Sequence, residues 1–223
     1  MIGAVPLADV AEIQLRGVKA HLVLEPELTL IDCGYAGSAG RITRAIDGLG
    51  RSPESLRRLI VTHGHPDHAG SAAELAARGV IVHIHPADAE RLAITWRDVV
   101  RRPSRGHLFA AMTPEPPTVQ HIEDGDVLPV LGGLRVVHTP GHTPGSVCLY
   151  GSRDRILFVG DNLQRRFGRL AFASSLYSDD YAQARRSMAH LVHLDIHTIV
   201  FGHFAPLVGG AGEELWRLVS RSG

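Results

Sequence analysis

Apolar residues in the first part of the chain switch between the two-residue period of strands and the wider spacing of helices. Apolar runs over 19–24 and 27–33 predict a pair of strands joined by a short turn, with a further strand expected near 10–16. Apolar positions at helical spacing over 38–49 predict a helix, and a capped helix start is expected over 52–58. The chain therefore opens as a mixture of strands and helices.

The same alternation continues along the chain and predicts an α/β fold. A short strand over 59–62 is followed by a helix through about residue 78, a strand over 80–84 and a short helix that starts near Pro86. Further along, strands are predicted near 134–138, 146–150, 155–160 and 198–202, and helices are predicted near 179–194 and at the C-terminal end.

The segment over 95–121 departs from this alternation. Prolines break any long helix there, namely Pro103, Pro114, Pro116 and Pro117. Neither a tandem repeat nor a linker-like stretch accompanies the segment. We therefore expect one domain over residues 1–223, with a lid-like insertion at about 95–121.

Composition and charge disfavour several classes of protein. The chain has 223 residues, is 44% hydrophobic and 21% charged, and balances 23 Lys and Arg against 23 Asp and Glu. Such a chain has no global field to attract nucleic acid or an anionic membrane. The chain shows no secretory signal and no run long enough to span a bilayer, so the expected location is cytoplasmic. Cys33 and Cys148 lack CxxC spacing and lie in strand-like surroundings, which predicts buried free thiols.

A cluster of metal-competent side chains follows a short predicted strand. The sequence V-T-H-G-H-P-D-H packs His63, His65, Asp67 and His68 together. Imidazole nitrogens and carboxylate oxygens are the ligands that Zn²⁺, Mn²⁺ and Fe prefer. A strand would project the first two histidines to one side, whereas Pro66 favours a helix start that carries the other two ligands. Ligands that leave one turn in two directions favour two neighbouring metals over one.

Three further candidate ligands each stand where an apolar strand is predicted to end. His142 lies in T-P-G-H-T-P-G-S, Asp161 in L-F-V-G-D and His203 in I-V-F-G-H, and a glycine precedes each of them. Ligand sites of α/β sheets collect at strand ends, because loops converge there while the strands fix their spacing. The glycines allow sharp turns close to an ion. We therefore expect these side chains to complete the metal site.

In this order the motifs resemble those of the metallo-β-lactamase superfamily, in which H-x-H-x-D-H is followed by His, Asp and His. The resemblance spans nearly the whole chain and points to the glyoxalase II-like and lactonase-like branch. It implies a four-layer αβ/βα sandwich, with two mixed β-sheets and helices on the outer faces. It also implies a site at one edge of the sandwich, between its halves.

The resemblance assigns the candidate ligands to two metals that share one carboxylate. The first metal would be held by His63, His65 and His142, the second by Asp67, His68 and His203, and both by Asp161. The implied cofactors are two divalent metal ions, Zn in the first place, with Mn or Fe as alternatives. Asp32 matches the family's D-x-G motif, whose carboxylate orients a ligand histidine; the alternative is a turn cap.

The implied metal pair would supply the nucleophile. Two neighbouring cations would share a water and lower its pKa enough to hold hydroxide at neutral pH. The hydroxide would attack a carbonyl carbon, and Asp67 or a water would carry the proton. The chain has no G-x-S-x-G motif and no cysteine in the setting of a reactive thiolate, so covalent catalysis is disfavoured. The resemblance thus implies an enzyme, a dinuclear metallo-hydrolase of a small ester, lactone or thioester.

Departures from the motifs of individual subgroups of this superfamily narrow the range of expected substrates. True β-lactamases of the family lack a bridging carboxylate at the position of Asp161, which disfavours antibiotic hydrolysis. In acyl-homoserine lactonases a Tyr stands where this chain has Gln164. Alternatives of the same fold are an iron-dependent oxidoreductase resembling the persulfide dioxygenases, with one iron, and a phosphodiesterase. A binding protein on a disarmed scaffold is a further alternative.

Two arginine-rich segments are candidates for contact with a small-molecule substrate. An anionic substrate would suit their guanidinium groups, although the same side chains could form a solvated face. The segments are the insertion, with Trp96, Arg97, Arg101, Arg102, Arg105, His107, Phe109 and Met112, and the loop after Asp161, with Arg165, Arg166, Phe167 and Arg169.

Overall fold

Strands of the chain form two large mixed β-sheets, one in each of the units Met1–Ile122 and Glu123–Gly223 into which the computed structural model divides. The structure describes residues 2–4, 9–92, 96–101, 104, 108 and 111–221. One domain over 1–223 stays a prediction. Parts of the predicted lid lie outside the described residues, among them Arg102, Arg105, His107 and Phe109.

The sheet of the first unit has seven strands that follow one another in chain order across it. The first three pairings are antiparallel and the last three are parallel. The carboxyl ends of the fourth, fifth and sixth strands therefore lie at the same edge. The strands are β1 (Ile2–Ala4), β2 (Val10–Gln14), β3 (Lys19–Val23), β4 (Leu28–Ile31), β5 (Leu56–Ile60), β6 (Ile81–Ile84) and β7 (Gln120–His121).

Helices of the first unit pack against this sheet. Leu30 of β4 and Leu59 of β5 share a buried cluster with Ile42 and Ile46, which lie one turn apart on the first helix. The helices are α1 (Ala39–Gly48), α2 (Pro66–Ala69), α3 (Ala72–Ala76), α4 (Pro86–Leu92) and α5 (Trp96–Arg101), and a 3₁₀ turn covers Pro53–Ser55.

Two predictions for this unit are wrong in detail. The helix expected over 52–58 is the 3₁₀ turn followed by β5, because Leu56 begins a strand paired in parallel with β4. The helix expected through residue 78 is divided at Gly70 into α2 and α3. A Cβ on Gly70 would lie 2.3 Å from the carbonyl oxygen of Pro66 and 2.5 Å from the nitrogen of Ala36, so a neighbouring loop fills this position.

The second unit has a six-stranded sheet and a separate two-stranded hairpin. In the large sheet only the pairing of the strands at 156–158 and 198–200 is parallel. In spatial order that sheet contains β15 (Leu207–Val208), β14 (Thr198–Val200), β11 (Ile156–Phe158), β10 (Val147–Gly151), β9 (Leu134–His138) and β8 (Val127–Leu128), and the hairpin is β12 (Leu163–Arg166) with β13 (Arg169–Phe172).

The segment after Asp161, expected as a loop, is therefore a β-hairpin. Its residues Leu163, Leu170 and Phe172 are buried in one cluster with Leu215. Leu215 belongs to the last helix of this unit, whose helices are α6 (Tyr181–Ser187) and α7 (Ala211–Ser220), with a 3₁₀ turn over Met188–Leu191.

The two mixed β-sheets and their helices confirm the predicted α/β class. Cys33 and Cys148 are free and buried, as predicted. Among the described residues, none of the helices combines the length and the hydropathy that crossing a membrane requires.

Buried His21 in β3 makes stability depend on pH. Burial first, then the charges of Lys19 and His68, lower the pKa of His21 from 6.5 to about 3. Between these values the unfolded chain binds a proton here that the folded chain does not, so the free energy of unfolding falls as the pH falls, by about 1.4 kcal/mol per unit. Urea unfolding between about pH 4 and pH 7 should give a shallower pH slope for His21→Gln. An unchanged slope would contradict this role.

Candidate metal centre

The histidine motif of the first unit forms the turn between β5 and α2. β5 ends at Ile60 and α2 begins at Pro66. His65, directly before the proline, has the extended backbone that a following proline favours, with φ −75° and ψ 151°. The helix start predicted at Pro66 is confirmed.

His63 is held by hydrogen bonds that run back to Asp32. Its Nδ1 lies 3.1 Å from the hydroxyl oxygen of Thr62, which lies 2.9 Å from Oδ2 of Asp32. Because that hydroxyl donates its proton to the carboxylate, it accepts the Nδ1–H of His63. The lone pair of His63 is then on Nε2, which lies 3.2 Å from Nδ1 of His65. Two nitrogens so close in two buried rings suit one shared cation.

Asp32 also orients His68. Its Oδ2 lies 2.8 Å from Nδ1 of His68, and both side chains are buried. Asp32 has φ 60°, a left-handed conformation that Asp tolerates, and its N–H donates to the carbonyl of Ile60 at 2.9 Å. The carboxylate holds the proton of His68 on Nδ1 and leaves the lone pair on Nε2. This geometry agrees with the orienting role rather than with a turn cap.

Asp67 stands beside His68 at the start of α2. Its Oδ2 lies 3.8 Å from Nε2 of His68, and its side chain is 19% exposed. A carboxylate that is close to an imidazole nitrogen and partly exposed to solvent can coordinate a cation or exchange a proton with water.

Asp88 supports the turn and was not anticipated from the sequence. Its Oδ2 accepts the backbone N–H of Gly64 at 2.6 Å, and its side chain is buried at the start of α4. This bond fixes the backbone between His63 and His65. The signal that could have found it is an acidic residue in the first turn of the helix after β6, the next parallel strand.

In the second unit Asp161 lies between two histidines. Its Oδ2 is 3.2 Å from Nε2 of His203 and 3.9 Å from Nε2 of His142. The loops that carry Asp161 and His203 follow the parallel strands β11 and β14, and the N–H of Gly202 donates to the carbonyl of Gly160 at 3.1 Å. Parallel pairing therefore explains why a carboxylate and a histidine that are distant in sequence meet at one strand edge.

His142 is oriented by Ser178, which the sequence analysis missed. Nδ1 of His142 lies 3.3 Å from the hydroxyl oxygen of Ser178, and that hydroxyl lies 2.8 Å from the carbonyl of Ser174. The hydroxyl donates to the carbonyl, so it accepts the Nδ1–H of His142 and leaves the lone pair on Nε2. No local motif distinguishes this serine from the other serines of the chain.

Asn162 braces the loop of Asp161. Its Nδ2 donates to the carbonyl of Val159 at 3.2 Å, and its own N–H donates to the same carbonyl at 3.0 Å. The side chain is 2% exposed. The two bonds close the turn that contains Gly160, at φ 50°, and so fix the backbone of Asp161.

The predicted ligands fit a divalent metal. The structure brings together His63, His65, Asp67 and His68 in the first unit, and His142, Asp161 and His203 in the second. Donor atoms within 4.8 Å of one another are offered by His63 with His65, by Asp67 with His68, and by Asp161 with His203. The donors are nitrogen and oxygen only, the set that Zn²⁺, Mn²⁺ and Fe accept.

Replacing Asp32 by Asn should weaken metal binding. Asn tolerates the same φ, but its amide group cannot accept from both Thr62 and His68. We expect the affinity for Zn²⁺ to fall by roughly 10–100-fold, the usual cost of losing the partner of a ligand histidine. Competition with a chelator measures this affinity, and Asp47→Asn on the exposed side of α1 is the matched control. Equal affinities for the two variants would contradict the orienting role.

Comparison with known proteins identifies the family. Residues 16–203 match the model of the metallo-beta-lactamase superfamily. The acyl-coenzyme A thioesterase MBLAC2 of Bos taurus is 32% identical over 232 aligned positions, which cover 92% of this chain and 76% of that protein.

Two solved structures share the fold. The metallo-beta-lactamase family protein TTHA1429 from Thermus thermophilus superposes with a TM-score of 0.72 and 21% identity, covering 99% of this chain and 77% of that one. The protein TTHA1623, solved in a di-iron-bound form, gives a TM-score of 0.68 and 26% identity, covering 90% of this chain and 93% of that one. The chain therefore belongs to the metallo-β-lactamase superfamily and is a hydrolase of that superfamily.

Proposed function

We propose that the protein is a dinuclear metal hydrolase that cleaves a small ester, lactone or thioester. One ion would be held by His63, His65 and His142, the second by Asp67, His68 and His203, and both by Asp161. The predicted cytoplasmic location stays a prediction.

The observation that carries the proposal is the orientation of three histidines. His63, His68 and His142 each direct Nδ1 at a hydrogen-bond acceptor, at 3.1, 2.8 and 3.3 Å respectively. Each is thereby left with an Nε2 lone pair, the form of imidazole that binds a metal. Ligation of a metal through Nε2 requires this tautomer, and three histidines of one motif set share it.

The residues of the site then have separate tasks. When bound, a pair of divalent ions supplies Lewis acidity and a nucleophilic hydroxide at neutral pH. Asp161 provides the negative charge between His142 and His203, and Asp32 keeps His68 in its ligand tautomer. Asp67, which is partly exposed, can pass a proton between the site and solvent.

A cysteine nucleophile is disfavoured by burial. The thiol of Cys148 is buried and its pKa is raised to about 12, and burial also raises the pKa of Cys33 well above its usual value. Both side chains therefore remain protonated at neutral pH. Attack by water is left as the route to hydrolysis, in agreement with the metal ligands.

A thioester is the substrate class that the relatives favour. MBLAC2, which matches most of this chain, carries the name of an acyl-coenzyme A thioesterase. Zinc is the proposed metal, and the di-iron form of TTHA1623 makes iron the alternative to test.

Metal quantification of the purified protein, followed by assays on thioesters, lactones and phosphodiesters, tests the proposal. We expect two zinc ions per chain and thioester hydrolysis that a chelator abolishes and added Zn²⁺ restores. One iron per chain with oxygen consumption would instead support the oxidoreductase. Metal-bound protein that hydrolyses none of these compounds would contradict the hydrolase proposal.

A further inference from the structure

The hairpin β12–β13 follows directly after the loop that carries Asp161. β12 begins two positions after Asp161, and its residues pair in register with β13, so residues directly opposite share a face. Leu163, Leu170 and Phe172 occupy the buried face. The other face carries Gln164, Arg166, Arg169 and Ala171, and both arginines are exposed.

Two like charges stand opposite each other on this face. Arg166 pairs directly with Arg169 across the hairpin, an arrangement that costs stability. Within the part of the chain that the structure describes, neither side chain has an acidic partner. Arg165 differs, because its guanidinium donates to the carbonyl of Gly168 at 2.8 Å and so braces the turn. The cross-strand pair is therefore not explained by the folding of the hairpin.

The tip of the hairpin holds an aromatic ring in an unfavourable place. Phe167 is 92% exposed. It has φ 50° and the following Gly168 has φ 78°, a turn in which Asn-Gly is the favoured pair and a bulky residue is unusual. The guanidinium carbon of Arg166 lies 5.5 Å from the centre of the Phe167 ring. Exposure and backbone conformation both oppose a phenylalanine here, which points to a role outside folding.

We propose that Arg166, Arg169 and Phe167 bind the phosphorylated nucleotide end of a coenzyme A thioester. The proposal rests on the thioesterase function proposed above and adds the place at which the coenzyme A part of the substrate is bound. Guanidinium groups recognise phosphate oxygens through paired hydrogen bonds, and an exposed ring offers a stacking surface for adenine.

The length of the hairpin and the charge of the chain agree with this ligand. A strand advances about 3.3 Å per residue, so the tip of the hairpin can lie at most about 20 Å from Asp161. In coenzyme A the long pantetheine arm likewise separates the thioester from the phosphates and the adenine. The balanced net charge of the chain disfavours a polynucleotide, whereas one arginine pair suits one nucleotide.

Hydrolysis of two substrates with the same acyl group tests the proposal. Acyl-coenzyme A carries the nucleotide and the acyl N-acetylcysteamine thioester lacks it. In the metal-loaded enzyme, R166Q/R169Q should lower the ratio of kcat/KM on the first substrate to that on the second by about 10–100-fold, mainly through KM. The variant R217Q/R221Q removes equal charge from the exposed side and end of α7 and should keep the wild-type ratio.

Direct binding separates this proposal from the hydrolase proposal. Calorimetry with adenosine 3′,5′-bisphosphate, which has no thioester or thiol, should show binding that weakens about tenfold or more in R166Q/R169Q. Phe167→Asn suits the turn and removes the ring, so it should weaken this binding while keeping or raising the thermal stability. Binding without thioester hydrolysis would contradict the thioesterase function and support the nucleotide site.

The proposal would be overturned by an unchanged ratio in R166Q/R169Q or by absence of bisphosphate binding in the wild type. It would also be overturned if anionic phosphatidylserine vesicles or single-stranded DNA, and not the bisphosphate, bound in a manner that depends on the arginine pair. In those cases thioester hydrolysis by the wild type would still support the proposed function.

Discussion

Asp161→Asn should lower thioester turnover by on the order of a thousandfold, the size of effect seen when one preorganised charged or polar group is lost from a hydrolytic site. Oδ2 of Asp161 lies 3.2 Å from Nε2 of His203 and 3.9 Å from Nε2 of His142, so this oxygen is close to the nitrogens of both histidines. The substitution keeps the shape of the side chain and removes its charge. A bridging ligand would thereby lose its affinity for both ions.

The folded state should survive this change. The carboxylate of Asp161 is 20% exposed, and Asn162, not Asp161, supplies the side-chain bond to Val159 that closes the loop. Steady-state kinetics, metal content and thermal unfolding should be measured together. Asp195→Asn, an exposed change in the same unit, is the control. Wild-type turnover in Asp161→Asn would contradict the bridging role, and an unfolded variant would show that the residue is structural.

Gly141→Ala should strongly lower the free energy of unfolding. Gly141 precedes the candidate ligand His142 and has φ 131°. A Cβ at this position would lie 2.1 Å from the backbone nitrogen and 2.5 Å from the Cα of Ala184 in α6. Neither atom can move without shifting the helix. We expect a loss of about 3–5 kcal/mol in the free energy of unfolding, the range of severe overpacking combined with backbone strain.

Gly209→Ala separates the two causes. Gly209 also has a left-handed backbone, with φ 73°, but a Cβ there would meet nothing within 4 Å. Gly209→Ala should lower the free energy of unfolding only by the cost of the left-handed backbone for alanine, about 1–2 kcal/mol. Urea unfolding of both variants gives the comparison. If the two losses were equal, the close approach of Gly141 to α6 would not be a constraint on the fold.

The ligand motif of the first unit could be predicted because it is local. His63, His65, Asp67 and His68 follow one another within a single turn, and Pro66 sets where that turn becomes a helix. The alternation of strands and helices gave the α/β class and most element positions, since hydrophobic period reports which face each element buries.

The supporting residues could not be predicted because they come from other elements. Ser178 lies 36 positions after His142, and Asp88 lies 24 positions after Gly64. Serine is common in turns, so neither residue type nor spacing marks Ser178 as a partner of the site, and the position of Asp88 in the first turn of α4 is only a weak signal because aspartate is common at helix starts. Only the packing of α4 and of the loop before α6 brings their oxygens within bonding distance.

The hairpin after Asp161 could not be predicted from the sequence either. Its polar residues obscure the strand pattern, since Arg165, Arg166 and Arg169 stand among few apolar positions. Burial of Leu170 and Phe172 against α7 decides that the segment forms a hairpin. The amino-acid sequence by itself determined the class of fold and the first group of candidate metal ligands, because both depend on neighbouring positions. The tertiary structure decided on which nitrogen each orienting partner leaves the lone pair of a histidine and where the arginine pair lies, because both depend on contacts between distant parts of the chain.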